Sequence, residues 1–449
     1  MNVDGEPESM GTKPPKVLRN SKYPTQKEVS DVIQERVVTS TVLPATDRTI
    51  MFRIEPNSRL CTNLSLLSVR LHVSVKDRAG SAQKENLRKK CFIPGPLPLS
   101  MFKEVRISAN GTVVTESDNL YPFIGSYLTL TRLSQQTLSL LKETALFYTK
   151  DFAAVNALED STGKRKVTLT SSEFEDLDKR LSLYSVDQKE PIELNFYLIT
   201  DLNFDRAPAI FPPNTAIDIE LLLQDPSKAI IKMEPDGALD PVISVSLAEI
   251  LVTRIAPSSR NIPRAIKQEF MKCRATPLII PSGTTVFRNT LSFSNSPLPS
   301  RLYMTFVSND AFDGDYSQNL YSSAHHNVSS VIFNVSGRKY PISAVSADFT
   351  KDLITDMYLR TAESLRFSLQ NSGQTLEPLS KYKSGAWKIA VDISPDFSSG
   401  ASWGTQKERG YIGVEIVFSK PLEERLIGIV ISEISACMSI NSNGEVSLE

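Results

Sequence analysis

From residue 37 onward, apolar and polar residues alternate with a period of two along most of the chain. That is the pattern of strands with one face buried. In the first half, "VVTSTVL" (37–43), "IMFRIEP" (50–56), "LSLLSVRLHVSVK" (64–76), "VRISA" (105–109), "TVVTE" (112–116), "KVTLTSS" (166–172), "IELNFYLITDL" (192–202) and "AIDIELLLQ" (216–224) predict strands rich in β-branched and aromatic residues. In "AIDIELLLQ" the alternation puts Ile217, Ile219, Leu221 and Leu223 on one face. The second half repeats the style with "ISVSLAEILVTRI" (243–255), "TPLIIPS" (276–282), "LSFSN" (291–295), "RLYMTFVSN" (301–309), "VIFNVSG" (331–337), "KIAVDI" (388–393), "YIGVEIVFS" (411–419), "LIGIVISEI" (426–434) and "CMSIN" (437–441). Helical spacing appears in two places. "QQTLSLLKETALFY" (135–148) repeats Leu138, Leu141, Ala145 and Tyr148 at intervals of three and four, and "RNIPRAIKQEFMKC" (260–273) also reads as helix.

Two turns punctuate this pattern at matching points. In "RISANGTVVTES" (106–117) the alternation runs to Asn110-Gly111 and resumes after it. "VIFNVSGRKYPIS" (331–343) does the same around Ser336-Gly337, about half the chain further on. Asn-Gly is the strongest short-range hairpin signal because both residues accept the positive φ of a type I′ turn. With about eight strands per half, the expected fold is all-β: two tandem eight-stranded antiparallel jelly-roll sandwiches with short helical inserts. Proline and glycine in "QDPSKAIIKMEPDGALDPVI" (224–243) mark the expected boundary. The expected division is an N-terminal arm (1–36), a first sandwich (37–230) and a second (231–449).

Composition changes this picture little. A 449-residue chain with 41% hydrophobic residues can bury two or three cores, and its 27 prolines suit strands and loops better than helices. A net charge of −1 gives no overall pull toward nucleic acid or an anionic membrane. Charge is segregated only in the arm, where Lys13, Lys16, Arg19, Lys22 and Lys27 occur with no acidic residue among them. Such a stretch suits contact with nucleic acid, and equally a solvated tail. The N-terminus lacks the apolar core of a secretory signal, and no apolar run is long enough to span a bilayer. The four cysteines (Cys61, Cys91, Cys273, Cys437) are scattered, which suits packed free thiols.

Catalytic chemistry finds no pattern. The sequence holds no GxSxG elbow, phosphate-binding loop, dinucleotide fingerprint or HExxH pair. The densest polar stretch, "SNDAFDGDYSQNLYSSAHHN" (308–327), brings Asp310, Asp313, Asp315, His325 and His326 together without the spacing of a calcium loop. It reads as a loop between strands. Tyr121, Phe123, Tyr127, Phe147 and Tyr148 read as core packing near the hairpin rather than a stacking platform. No cofactor, metal or catalytic residue is expected, and the chain is not expected to be an enzyme. Two other readings would need different residues. A sugar-binding sandwich would rest on Trp387 and Trp403, and a cupin would need clustered histidines where His72 stands far from His325-His326.

Longer segments carry a resemblance. "LPLSMFKEVRISANGTVVTESDNLYPFIGSYLTLTRLS" with "KETALFYTKD", then "PLPSRLYMTFVSNDAFDGDYSQNLYSSAHHNVSSVIFNVSGRKYP", and finally "VDISPDFSS" with "GYIGVEIVFSKPLEERLIGIVISEISACMSIN" resemble double jelly-roll major capsid proteins. The match is most like those of Polinton/Maverick elements and adintoviruses. The matching positions include Phe102, Val105, Asn110-Gly111, Tyr121-Pro122 and Leu146-Phe147-Tyr148 in the first half. In the second they include Leu298-Pro299, Asn309, Ala311-Phe312, Gly314, His326-Asn327 and Gly337. "PFIGSY" lacks an arginine usual in relatives, and Ser-Gly replaces their Asn-Gly in the second hairpin. The resemblance implies a homotrimeric, pseudo-hexagonal capsomer that contacts neighbouring capsomers, penton proteins and minor or cement proteins in an icosahedral shell. It also implies an inner arm that meets packaged DNA, a minor single-jelly-roll role being disfavoured by two halves of similar length. The location implied is the virion capsid, made in the host cytoplasm and assembled there or in the nucleus.

Overall fold

The structure, a computed structural model, describes residues 29–40, 49–77, 91–93, 96–146, 158–159, 165–166, 191–202, 210–232, 240–257, 265–341, 346–365, 376, 378–394 and 408–448. Four antiparallel sheets carry the fold, two to each half. In the first half, a five-stranded sheet runs in the order Val29–Val38, Pro241–Pro257, Cys61–Asp77, Ile210–Phe211, with Ile192–Tyr197 also paired to Cys61–Asp77. Facing it is a four-stranded sheet in the order Thr49–Ile54, Ile217–Leu223, Phe102–Ala109, Thr112–Thr115. The second half repeats the plan. Its five-stranded sheet runs Ile266–Ile280, Leu426–Ile440, Arg301–Ser308, Ile389–Asp392, with Val446–Leu448 added to Leu426–Ile440. Its four-stranded sheet runs Val286–Phe293, Gly410–Phe418, Val328–Val335, Arg338–Tyr340. Taken in chain order, matched strands occupy matched places in the two sandwiches.

Hydrophobic burial between facing sheets explains why these segments are strands. Ile217, Ile219, Leu221 and Leu223 are buried while the residues between them are half-exposed, so one face turns into the core. The two hairpins occupy the same place in each sandwich. Ala109 pairs with Thr112 around Asn110 (φ 47°) and Gly111 (φ 81°), and Val335 pairs with Arg338 around Ser336 (φ 50°) and Gly337 (φ 84°). Two central residues with positive φ make the tight turn that matches the twist of its flanking strands. The Gln135–Ala145 helix forms as its spacing predicts, with Leu138, Leu141 and Ala145 buried and Ser134 capping it through the Thr137 N–H. Residues 167–172 of "KVTLTSS", Phe147, Tyr148, Trp403 and the arm lysines and arginine lie outside the described residues.

Three expectations are corrected. Pro241–Pro257 pairs with both Cys61–Asp77 and Val29–Val38, so the first sandwich extends to Pro257 rather than ending at 230. The turn-rich 224–243 stretch connects two strands of one sandwich, and turn residues mark such a crossing as strongly as a domain boundary. Residues 29–36 are not arm but the start of an edge strand of that sheet. Lastly, the described part of "RNIPRAIKQEFMKC" is not helical: Ile266–Ile280 is a 15-residue strand paired along its whole length to Leu426–Ile440. Its burial shifts phase between Phe270 and Cys273, and that shift breaks the period of two.

A methyl group at Gly337 would meet no atom within 4 Å, so the turn demands glycine for its backbone alone. Gly337→Ala is expected to lower stability by about 1 kcal/mol, the cost of an L residue with positive φ. Urea unfolding measures it; an unchanged midpoint would rule out this turn geometry.

Candidate functional site: the seam between the two sandwiches

The described residue with the most consequential surroundings is Tyr127, on the Tyr121–Arg132 helix that follows the first hairpin. Pro122 opens this helix, and Tyr121, Phe123, Ile124, Tyr127 and Leu128 are all buried. One side of it rests on the first sandwich. A Cβ on Gly125 would come within 2.7 Å of Leu99 Cδ2, so glycine permits that approach. The other side lies on the outer face of the second sandwich.

There a polar cluster joins the halves. The Tyr127 hydroxyl donates to Glu433 Oε2 at 3.1 Å and accepts from Arg301 Nη1 at 3.2 Å. Arg301 and Glu433 sit directly opposite each other on adjacent strands and form an ion pair at 3.0 Å, their side chains only 7% and 8% exposed. Arg132 closes the far end: its guanidinium donates to the carbonyls of Asp201 (2.8 Å) and Met271 (3.1 Å) and lies 3.9 Å from Glu433. The carboxylate of Asp201 accepts from Thr115 Oγ1 at 3.0 Å and from the backbone N–H of Cys273 at 3.2 Å. Tyr127 and Tyr303 pack with ring centroids 5.3 Å apart.

Desolvation governs the titration of these groups. Burial pushes the Tyr127 phenol and the Cys273 thiol well above their ordinary values. The Asp201 carboxyl is also raised by burial, with Arg132 and the Thr115 hydrogen bond opposing. For Arg301, burial works against the charge, yet Tyr127 and Glu433 outweigh it and hold the guanidinium charged. A phenol and a thiol so shifted stay protonated at neutral pH and are poor nucleophiles. The cluster is built to hold two bodies together.

Beside it, a cavity of about 70 Å³ lies between Phe123, Ser126 and Leu130 of the helix and Tyr303, Thr305 and Trp387 of the second sandwich. Smaller contacts extend the seam at both ends. Asn110, at the first hairpin tip, donates to the Gly444 carbonyl at 2.7 Å, and the Lys232 N–H donates to the Tyr316 carbonyl at 2.8 Å. Lys228 Nζ lies 5.1 Å from the centre of the Phe312 ring.

The other sequence candidates fall elsewhere. Among the described residues no three His, Cys, Asp or Glu side chains gather as a metal site. His325 stacks on Phe349 at 3.8 Å and accepts from the Asn327 N–H, while His326 meets Phe306 edge-on. Tyr121, Phe123 and Tyr127 are buried, as is Trp387, which lies flat on Phe306 at 4.5 Å. Cys61, Cys273 and Cys437 are buried free thiols. Asn110 joins the seam, whereas Gly111, Ser336 and Gly337 do not. Sequence reading missed Arg301, Glu433, Arg132 and Asp201. For Arg301 and Glu433 the signal was lost alternation: Arg301–Ser308 and Leu426–Ile440 are buried on both faces over most of their length.

No protein-family model and no curated protein sequence matches this chain. Its fold is similar to that of several solved structures. A chain in the 3.5 Å cryo-EM structure of the Sputnik virophage shares 11% identity and a TM-score of 0.63, covering 100% of this chain and 93% of that one. The mavirus major capsid protein shares 12% identity and a TM-score of 0.52, covering 100% and 97%. The Faustovirus major capsid protein shares 10% and 0.53, covering 91% and 90%. The fold is therefore the double jelly roll of these viral proteins.

Two predictions concern these groups. Glu433→Ala leaves Arg301 and Arg132 buried without their carboxylate and is expected to cost about 3–5 kcal/mol in urea unfolding; a loss below about 1 kcal/mol would mean that the seam does not depend on the pair. Burial lowers the His326 pKa from 6.5 to about 4. Below pH 6.5 the unfolded chain therefore binds a proton that the folded chain refuses, and stability falls until about pH 4. His326→Asn, which tolerates the positive φ of 44° at this position, is expected to flatten that part of the pH–stability curve. An unchanged acid slope would assign it to other groups.

Proposed function

We propose that this chain is the major capsid protein of a virus or virus-like element, a structural protein rather than an enzyme. The observation that carries the reading is the pairing of two sandwiches of the same strand order, fixed by a buried seam within one chain. Such a unit is a rigid two-lobed block, and three of them offer six similar lobes for pseudo-hexagonal packing. The solved proteins of this fold include two named major capsid proteins, from mavirus and Faustovirus. A net charge of −1 suits a protein that packs densely against its own copies.

Within this reading the place of action is the virion capsid, and the partners are other copies, then neighbouring capsomers, penton proteins and minor or cement proteins. The arm with Lys13, Lys16, Arg19, Lys22 and Lys27 would face the packaged genome from the inner surface. The sequence motifs are most like those of Polinton/Maverick elements and adintoviruses, which supports a lineage near them. A sugar-binding role has less support, because Trp387 is fully buried against Phe306 and offers no open ring to a sugar.

Light scattering after size exclusion tests the proposal. The expected mass is three times 49.8 kDa, with a pseudo-hexagonal outline in negative stain. A chain that stays monomeric at high concentration would overturn it.

A further inference from the structure

The cavity beside the seam is walled by both halves. Its apolar lining comes from Phe123 and Leu130 of the Tyr121–Arg132 helix and from Tyr303, Val307, Leu320 and Trp387 of the second half. Its polar lining divides into groups already in use and groups that are not. Ser126 donates to the Pro122 carbonyl at 2.6 Å and Thr129 to the Gly125 carbonyl at 2.7 Å, so both are committed to their own helix. Ser323 donates to the Trp387 carbonyl at 2.6 Å and shares a further hydrogen bond with Thr305. Trp387 and Ser322 differ. They are 0% and 8% exposed, and their indole N–H and hydroxyl have no hydrogen-bond partner among the described residues. Stacking on Phe306 at 4.5 Å holds the indole where it is.

Size and polarity together limit what such a space can hold. A cavity of about 70 Å³ has room for about five waters, each of which needs two to four polar partners. Two spare groups on a wall otherwise apolar or committed satisfy few of them. A purely apolar guest fails differently, because it leaves the indole N–H, which can only donate, without an acceptor. A molecule with a hydrocarbon body and one acceptor oxygen meets both demands. The volume suits about three to five non-hydrogen atoms, against the benzene that about 150 Å³ accommodates. Ser126 and Leu130 are half-buried and mark the side nearest solvent, from which a guest enters.

We propose that this cavity is a binding site for a small uncharged amphipathic molecule of the size and chemistry of a short-chain alcohol. Its hydrocarbon part packs on Phe123, Leu130 and Tyr303, and its oxygen accepts from Trp387 and Ser322. A carboxylate suits the site less well. Lys388, which also lines it, is not free, and the apolar wall would strip an anion of its hydration. A guest here touches both halves at once, so it binds only the folded chain with its sandwiches in register and stabilises that arrangement by mass action. The site needs only the folded chain, and its failure would leave the capsid reading intact.

Trp387 is one of two tryptophans in the chain, so in a Trp403→Phe chain its emission reports on the site alone. Titration of that chain with 1-butanol is expected to give a saturable change in emission. The change should vanish when Ser126→Leu is added, since the larger side chain fills the cavity from the helix; Leu130→Phe serves if that variant does not fold, as urea unfolding shows. At equal 1-butanol the urea midpoint should rise in the parent chain relative to the filled one. Ser322→Ala should weaken the affinity roughly three- to tenfold through the loss of one hydrogen bond, and sodium butyrate should bind more weakly than 1-butanol. An emission change that rises linearly with alcohol, or a saturable one that survives in the filled chain, would overturn the site. Unchanged affinity in Ser322→Ala, or tighter binding of butyrate, would overturn the assigned ligand class.

Discussion

A phenol, a guanidinium and a carboxylate, meeting where two sandwiches touch, fix how this chain is put together. Tyr127 comes from the first half, Arg301 and Glu433 from the second, and none of the three has water to fall back on. A buried ion pair adds little net stability, because the lost hydration of both charges nearly cancels their attraction. Its consequence here is geometric. If one sandwich slid along the other by a single residue step, Arg301 and Glu433 would lose Tyr127, and Arg132 would lose the Asp201 and Met271 carbonyls. Each such loss leaves a desolvated polar group unpaired, at roughly 1–3 kcal/mol apiece. Apolar packing against Phe123 and Tyr303 tolerates sliding; the polar cluster does not.

Much of the fold was legible in the sequence, because alternation is a direct record of one-sided burial. The hairpins at Asn110-Gly111 and Ser336-Gly337 could be read because two-residue turns demand residues that accept positive φ. The errors share a cause. Pro and Gly between 224 and 243 signal a change of direction, and direction changes equally within a sandwich and between two. In Ile266–Ile280 the burial phase shifts near Phe270–Cys273 because one stretch of the strand faces its own core and the next is covered by the other half. The reverse case is Tyr121–Arg132. Its "YLTLTR" alternates like a strand, yet Pro122 at its start and contact on both sides make it a buried helix. The seam could not be found by searching for catalytic types, since its members are ordinary residues made consequential by burial. Only the two-sided burial of Arg301–Ser308 and of residues 426–434 left a trace, and that trace reads as strands covered on two faces without saying by what.

Duplication within one chain also changes the energetics of assembly. Two free sandwiches would have to find each other, losing translational and rotational freedom for each contact. A covalent link makes that contact intramolecular, at an effective concentration set by the short connection after Pro257. The two halves can then diverge. The second sandwich keeps its Arg–Glu pair permanently dry, while the first leaves Arg70 and Glu249 partly wet beside Glu193 and His72.

That difference separates a pair that folding dries completely from one that folding leaves wet. Arg301 and Glu433 are desolvated once, as the chain folds, and nothing later needs to break them. Arg70 and Glu249 keep both water and each other, so their attraction is screened and adds little to stability.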